Sequence, residues 1–198
     1  MQKVLFEEKS YQISSDAMPE MLKEKLNQEQ LKCYLKLLDQ VQLQPKAVYA
    51  EIKAFGQEYP TVPEVINLLT FAHIQNHRVV EAENLIEDTF EKHPEYLFAR
   101  INYADQCIRK KKLSKIPKIF PTFDLKELYP EKEIFHLSEF RGFFIMMTYY
   151  QIALKDREKA IYYFTTAKEI EPHHPSVLYL EKKLFRKSLF QRLLRLKK

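Results

Sequence analysis

The sequence predicts an all-α fold in which antiparallel helical hairpins stack side by side. Three observations lead there. Pro94 follows Pro60 by 34 positions, and each ends an amphipathic stretch where proline stops a helix. Only two glycines, Gly56 and Gly142, occur in 198 residues. That scarcity excludes glycine-rich phosphate loops and disfavours turn-rich β folds. Strand-like alternation is confined to "KVLF" and "YQI" near the start. With hydrophobic residues at 45%, a packed interior is expected rather than disorder.

Residues 1–13 read as an N-terminal extension, either a small hairpin or a loose segment. A first helix is expected in "SSDAMPEMLKEKL", with Ser15 or Asp16 as N-cap, Pro19 in its first turn and Glu20 at the positive end. Leu31, Leu35 and Leu38, then Val48, Ile52 and Phe55, recur at three- and four-residue spacing on either side of Pro45. They read as two antiparallel helices joined by a tight turn. "VPEVINLLTFAHIQNH" and "RVVEAENLIEDTFEKHP" repeat that arrangement and close at Pro94. A third copy opens with "YLFARINYADQCIRKKKLSKIPKIF", but Pro117 and Pro121 interrupt its second helix. The last copy, "RGFFIMMTYYQIALKDREKAIYYFTTAKEIEP", is the clearest. Pro172 follows Pro94 by 78 positions, two periods of 34 and ten more. The extra residues are expected in an irregular insertion near 117–140, lengthening a helix from about Glu131 to Leu154. The repeat domain is therefore expected over 14–174.

A 34-residue helix-turn-helix period and the residues within it resemble the tetratricopeptide repeat family, whose unit reads W-x2-L-G-x2-Y, then A-x3-F, then P. Ala160, Phe164, Ala167 and Pro172 match its second half residue for residue. Phe144, Met147, Thr148 and Gln151 fall where the first half has W, L, G and Y. In the copy before Pro94, Leu69 and Ala82 match, with Ile86 at the aromatic place and Thr89 at the second alanine. The third copy keeps Tyr103 and Ala104, then Ile116 and Phe120. The Pro60 copy keeps Leu35, with Val48 and Phe55 replacing alanines.

The resemblance covers about residues 29–175. It implies a right-handed superhelix whose first helices line a concave face that grips a peptide or partner helix, and it implies no reaction. Registering the units puts Cys33 and Leu37, Asn67 and Phe71, Ile101 and Asp105, and Ile145 and Tyr149 on that face. Such a stripe is largely apolar. Family members that clamp acidic chaperone tails carry Lys, Arg and Asn there, and here only Asn102 occupies a comparable place. The candidate peptide groove is thus Asn67, Phe71, Ile101, Asp105, Ile145 and Tyr149.

Net charge is +5, unevenly distributed. Residues 175–198 hold eight Lys/Arg against one Glu, or +7, so positions 1–174 carry −2. The C-terminal residues read as a basic amphipathic capping helix, with Leu178, Phe185, Leu189 and Leu193 on one face and Lys182, Lys183, Arg186 and Arg192 mostly off it. Its end supplies candidate anion contacts: Arg186, Arg192, Arg195, Lys197 and Lys198. The alternative function follows from it, a nucleic-acid or anionic-membrane adaptor. "RKKKLSKIPK", residues 109–118, reads as a solvated turn or a phosphate contact.

His73 and His77 have a metal-capable spacing but no third ligand, so packing and exposure explain them better than metal. His173 and His174 sit between prolines, as in an exposed loop. Glu81/Glu83 and Glu87/Asp88 lie on charge-rich helices without an apolar pocket to separate their pKa values. No nucleophile motif is present, so no enzyme, cofactor or metal is expected. Two distant cysteines, Cys33 and Cys107, suit a reducing cytoplasm. The expected role is a cytoplasmic adaptor or scaffold for a protein or peptide, open to self-association.

Overall fold

A computed structural model describes residues 1–6, 9–15 and 22–185. They form two units, Met1–Glu139 and, from Phe140 onward, a second. The fold is mostly helical.

In the first unit, strands β1 (Gln2–Phe6) and β2 (Lys9–Ser14) pair antiparallel, with Val4 opposite Tyr11. A third strand, β3 (Ile134–His136), adds to β2 in parallel and sets Ile13 opposite Phe135. Val4, Phe6, Tyr11, Ile13 and Phe135 are buried, while Lys3 and Gln12 are exposed, the alternation of a half-buried sheet. The early "KVLF" and "YQI" segments are therefore a hairpin. The all-α expectation is corrected to this extent, and the helix expected from Glu131 begins only after β3. The pairing between β2 and β3 joins segments distant in the chain, which no local periodicity reports.

Among the described residues, five helices run from the hairpin to Arg109: α1 (Gln28–Leu43), α2 (Pro45–Glu58), α3 (Pro63–Gln75), α4 (Val79–Lys92) and α5 (Leu97–Arg109). Asn27 caps α1: its side chain accepts from the backbone of Glu29 and Gln30, and Gln30 returns the bond to the Asn27 N–H. Much of the helix expected in "SSDAMPEMLKEKL", including Asp16, Pro19 and Glu20, lies outside the described residues; Leu22–Leu26 make a turn. Pro45 and Pro63 stand in the first turns of α2 and α3, where a missing N–H leaves no bond unmade.

Each helix of this series packs on the next in sequence. The first helices α1, α3 and α5 also touch one another in succession. Tyr34, Leu37, Ile52, Leu68 and Ala72 form the centre of a continuous apolar cluster between them. Gly56 marks a close approach of α2 to α3: a Cβ there would lie 2.8 Å from Leu69 Cδ2.

After α5 the expected second helix is cut short. A 3-10 turn (Leu113–Lys115) leads to a single turn, α6 (Ile116–Ile119), which Pro121 prevents from continuing past Phe120. Ile116 and Phe120 are nonetheless buried like their counterparts Ala82 and Ile86. Helix α7 (Leu125–Leu128) is capped by Asp124, whose Oδ1 also accepts from the Tyr11 hydroxyl at 2.8 Å. The insertion is thus tied to the N-terminal strands.

The second unit contains most of α8 (Leu137–Ala153), then α9 (Arg157–Ile170) and α10 (Pro175–Phe185). Ala160 and Ala167 are fully buried and Phe164 nearly so, as close helix packing requires. On α10 the buried residues are Val177, Leu180 and Leu184, whereas Leu178 and Phe185 are exposed. The expected apolar face is corrected by about one residue. Phe185 instead meets Phe164 at the margin, with ring centroids 5.8 Å apart. Both stripes have helical spacing, and only the position of α9 selects between them.

Three hairpin turns share one backbone solution. His77, Lys111 and Lys155 adopt left-handed φ of 59°, 58° and 64°. In each turn the following N–H bonds back five residues: Arg78 to His73 at 2.9 Å, Lys112 to Cys107 at 2.8 Å, and Asp156 to Gln151 at 3.0 Å. His77 and Lys111 are 34 positions apart, and Lys111 and Lys155 are 44. The period is thus present in the backbone, with ten extra positions between the last two turns.

Candidate interaction surface

Asn67 and Phe71 lie one turn apart on α3, and Ile101 and Asp105 occupy the equivalent places on α5. Their neighbours connect the two helices: the Asn102 amide donates to Asn67 Oδ1 at 2.8 Å. Phe71 is half-buried against the apolar cluster that contains Leu37 and Ala72. Asp105 is also half-buried, and its carboxylate accepts from Arg109 Nε at 2.9 Å. Ile101 is 6% exposed and Leu37 is fully buried, so these two belong to the interior. Cys33 is half-buried, and burial followed by the nearby Glu51 raises its thiol pKa. In the second unit Ile145 and Tyr149 are half-buried on α8, and Lys183 of α10 places its ammonium 4.6 Å from the Tyr149 ring centre.

The ends of the first helices hold a buried acid–phenol cluster that composition did not reveal. Glu64 is 2% exposed and accepts from Lys25 Nζ at 2.7 Å. Burial, then the Glu64 charge, pushes the Tyr34 hydroxyl far above its ordinary range, and burial does the same to Tyr96. Nearby, Glu139 accepts from Lys132 at 2.7 Å and from the His136 N–H at 2.9 Å, which fixes the start of α8. Tyr129 is pushed up to about 12, chiefly by burial.

A groove of about 380 Å³ opens on the other side of the helices. Ile66 and Leu69 of α3 lie in it between α2 and α4, with Gly56, Leu85 and Lys92 along its sides. A glycine inside a helical pattern was the available signal, since it marks close approach.

His73 Nδ1 meets the Tyr49 hydroxyl at 3.2 Å, and burial lowers its pKa. His77 is exposed and occupies the left-handed turn. His174 is half-buried, accepts from the Ser176 N–H at 3.2 Å and has its pKa lowered by burial, while His173 is exposed. In the basic 109–118 segment, Lys110 pairs with Glu83 at 3.0 Å, Arg109 reaches Glu83 at 3.5 Å, and Lys115 donates to the Tyr103 hydroxyl at 2.7 Å. Lys111 and Lys112 stand exposed at the turn. Lys182 and Lys183 are exposed, whereas Arg186, Arg192, Arg195, Lys197 and Lys198 lie outside the described residues. Among the described residues, no helix is long and apolar enough to cross a membrane.

Comparison with protein-family models, characterised proteins and solved structures finds no match to this chain.

Proposed function

We propose that this chain is a non-catalytic interaction module of the tetratricopeptide kind, an adaptor or scaffold that holds a peptide or helix against its first helices. The observation that carries this reading is one left-handed hairpin turn shared by His77 and Lys111, 34 positions apart, and made again at Lys155 after ten extra positions. Contact among α1, α3 and α5 supports it further, because successive first helices then present one shared face. Cys33, Asn67, Phe71 and Asp105 are half-buried residues of that face in the first unit; within the second unit, Ile145 and Tyr149 are half-buried on α8. Helix α10 acts as a cap, with Leu180 and Leu184 packed, Lys182 exposed and Lys183 over the Tyr149 ring.

Affinity capture from native lysate, with and without nuclease, tests the role. Phe71→Ala or Tyr149→Ala is expected to weaken capture by about 1–3 kcal/mol, as aromatic anchors do, with little change in melting temperature. Ile101→Asp acts differently: it places a charge at a buried site and is expected to unfold the unit. Melting losses in the Phe71 and Tyr149 variants with unchanged capture would assign both residues to the core instead.

A second reading, nucleic-acid or anionic-membrane contact through the C-terminal residues, is supported by their +7 charge. Deleting residues 191–198 would then abolish salt-sensitive retention on heparin while leaving the fold intact.

A further inference from the structure

The hairpin tips of the first unit share an edge with a composition unlike the rest of the unit. Residues 43–46, 74–80 and 108–113 read "LQPK", "IQNHRVV" and "IRKKKL". They contain six Lys/Arg and no Asp or Glu. Arg78, Arg109 and Lys110 pair with Glu81, Asp105 and Glu83 on the adjoining helices, while Lys46, Lys111 and Lys112 are exposed. The same tips expose large aliphatic side chains: Leu43 at 82%, Val80 at 68%, Val79 at 55% and Ile74 at 48%. A side-chain bond joins the first two tips, and an ion pair ties the third to the adjoining helix. The Asn76 amide donates to the Pro45 carbonyl at 3.1 Å, and Lys110 at the third tip pairs at 3.0 Å with Glu83 on α4.

We propose that this edge docks on an anionic lipid surface, with Leu43, Val79 and Val80 entering the headgroup–acyl boundary and Lys46, Lys111 and Lys112 meeting lipid phosphates. Aliphatic side chains beside exposed cations match the two requirements of an interfacial contact. Nucleic acid fits less well. Its interfaces are polar, and single strands are held by stacking on aromatic rings, whereas these tips present aliphatic chains. Three separate loops make the contact, so no amphipathic helix is required. Lys111 is exposed at the turn and has a left-handed φ of 58°. The proposal does not depend on the peptide-binding reading.

Co-sedimentation of the full chain with vesicles of phosphatidylcholine, with and without phosphatidylserine, tests it. Binding is expected only when phosphatidylserine is present, and it should weaken as salt rises. Val79→Gln/Val80→Gln removes apolar contact without altering charge, and Lys111→Gln/Lys112→Gln removes charge alone. Each pair is expected to weaken vesicle binding roughly tenfold with an unchanged circular dichroism spectrum. Arg192→Gln/Arg195→Gln tests the C-terminal residues separately, and Lys32→Gln, on α1 away from the tips, should leave vesicle binding unaltered. The proposal is overturned if only the Arg192/Arg195 variant loses binding, or if phosphatidylcholine alone binds equally well. It is also overturned if the chain retains RNA but no vesicle, or if neither tip pair has an effect.

Discussion

The hairpin formed by α3 and α4 and the chain from α5 to α6 begin alike and then diverge. Both open with a first helix of 13 residues, and both make the same left-handed turn, at His77 and at Lys111. Val79–Lys92 then continues as a helix of 14 residues, whereas the other copy manages a 3-10 turn and the four residues of α6. Pro121 supplies the stop. Yet the shortened copy still buries Ile116 and Phe120 where the intact one buries Ala82 and Ile86. A repeat can therefore lose most of a helix and keep its contribution to the core, provided one turn sets its apolar pair in place. The chain released by the stop forms α7 and β3, and β3 completes the sheet begun by the N-terminal strands.

The comparison breaks most sharply at Phe120, which is 1% exposed. Phe120→Ala is expected to destabilise the first unit by about 3–5 kcal/mol, measured by denaturant unfolding. A loss below ~1 kcal/mol would mean the single-turn helix is an ornament. Its counterpart Ile86 is 4% exposed, and Ile86→Ala should lose about 2–4 kcal/mol. Similar losses at both sites would show that the interrupted repeat stabilises the core as the intact one does.

Smaller effects sharpen the likeness of the turns. Left-handed backbone penalises any residue with a Cβ, so His77→Gly, Lys111→Gly and Lys155→Gly should each stabilise by about 0.5–1 kcal/mol. Three comparable gains would confirm one shared turn; a loss at any position would separate it from the others. The smallest expected effect is a pH slope. Burial holds His73 below its ordinary pKa of 6.5, so the fold favours the neutral ring. That stability is complete above pH 6.5 and declines as pH falls through the window down to the lowered value, because the unfolded chain takes up the proton first. His73→Gln should flatten this slope in melts across the mildly acidic range.

Much of the helical architecture was legible because its determinants are local. Apolar spacing and the prolines delimit α2, α3, α4 and α9, and the small residues Ala160 and Ala167 mark where helices approach. The turns were less legible. A left-handed C-terminal turn normally announces itself with glycine, and here histidine and lysine fill the position. Asn27 and Gln30 have the capping-box spacing, a local signal for the start of α1. On the candidate surface, spacing placed Asn67 and Phe71 but could not distinguish half-buried Asp105 from Ile101, one turn away and buried.

By itself the sequence determined the hairpins, their 34-residue period and the proline stop in the third copy. Each depends on side chains a few residues apart. Only the tertiary structure decided that β3 joins β2, that α10 buries Val177, Leu180 and Leu184 rather than Leu178, and that Asn76 ties the α3–α4 turn to Pro45. Those outcomes depend on which distant surface is available to receive a strand or a helix face. Periodicity shows that a face is apolar, and the packed neighbour selects which residues of it leave water.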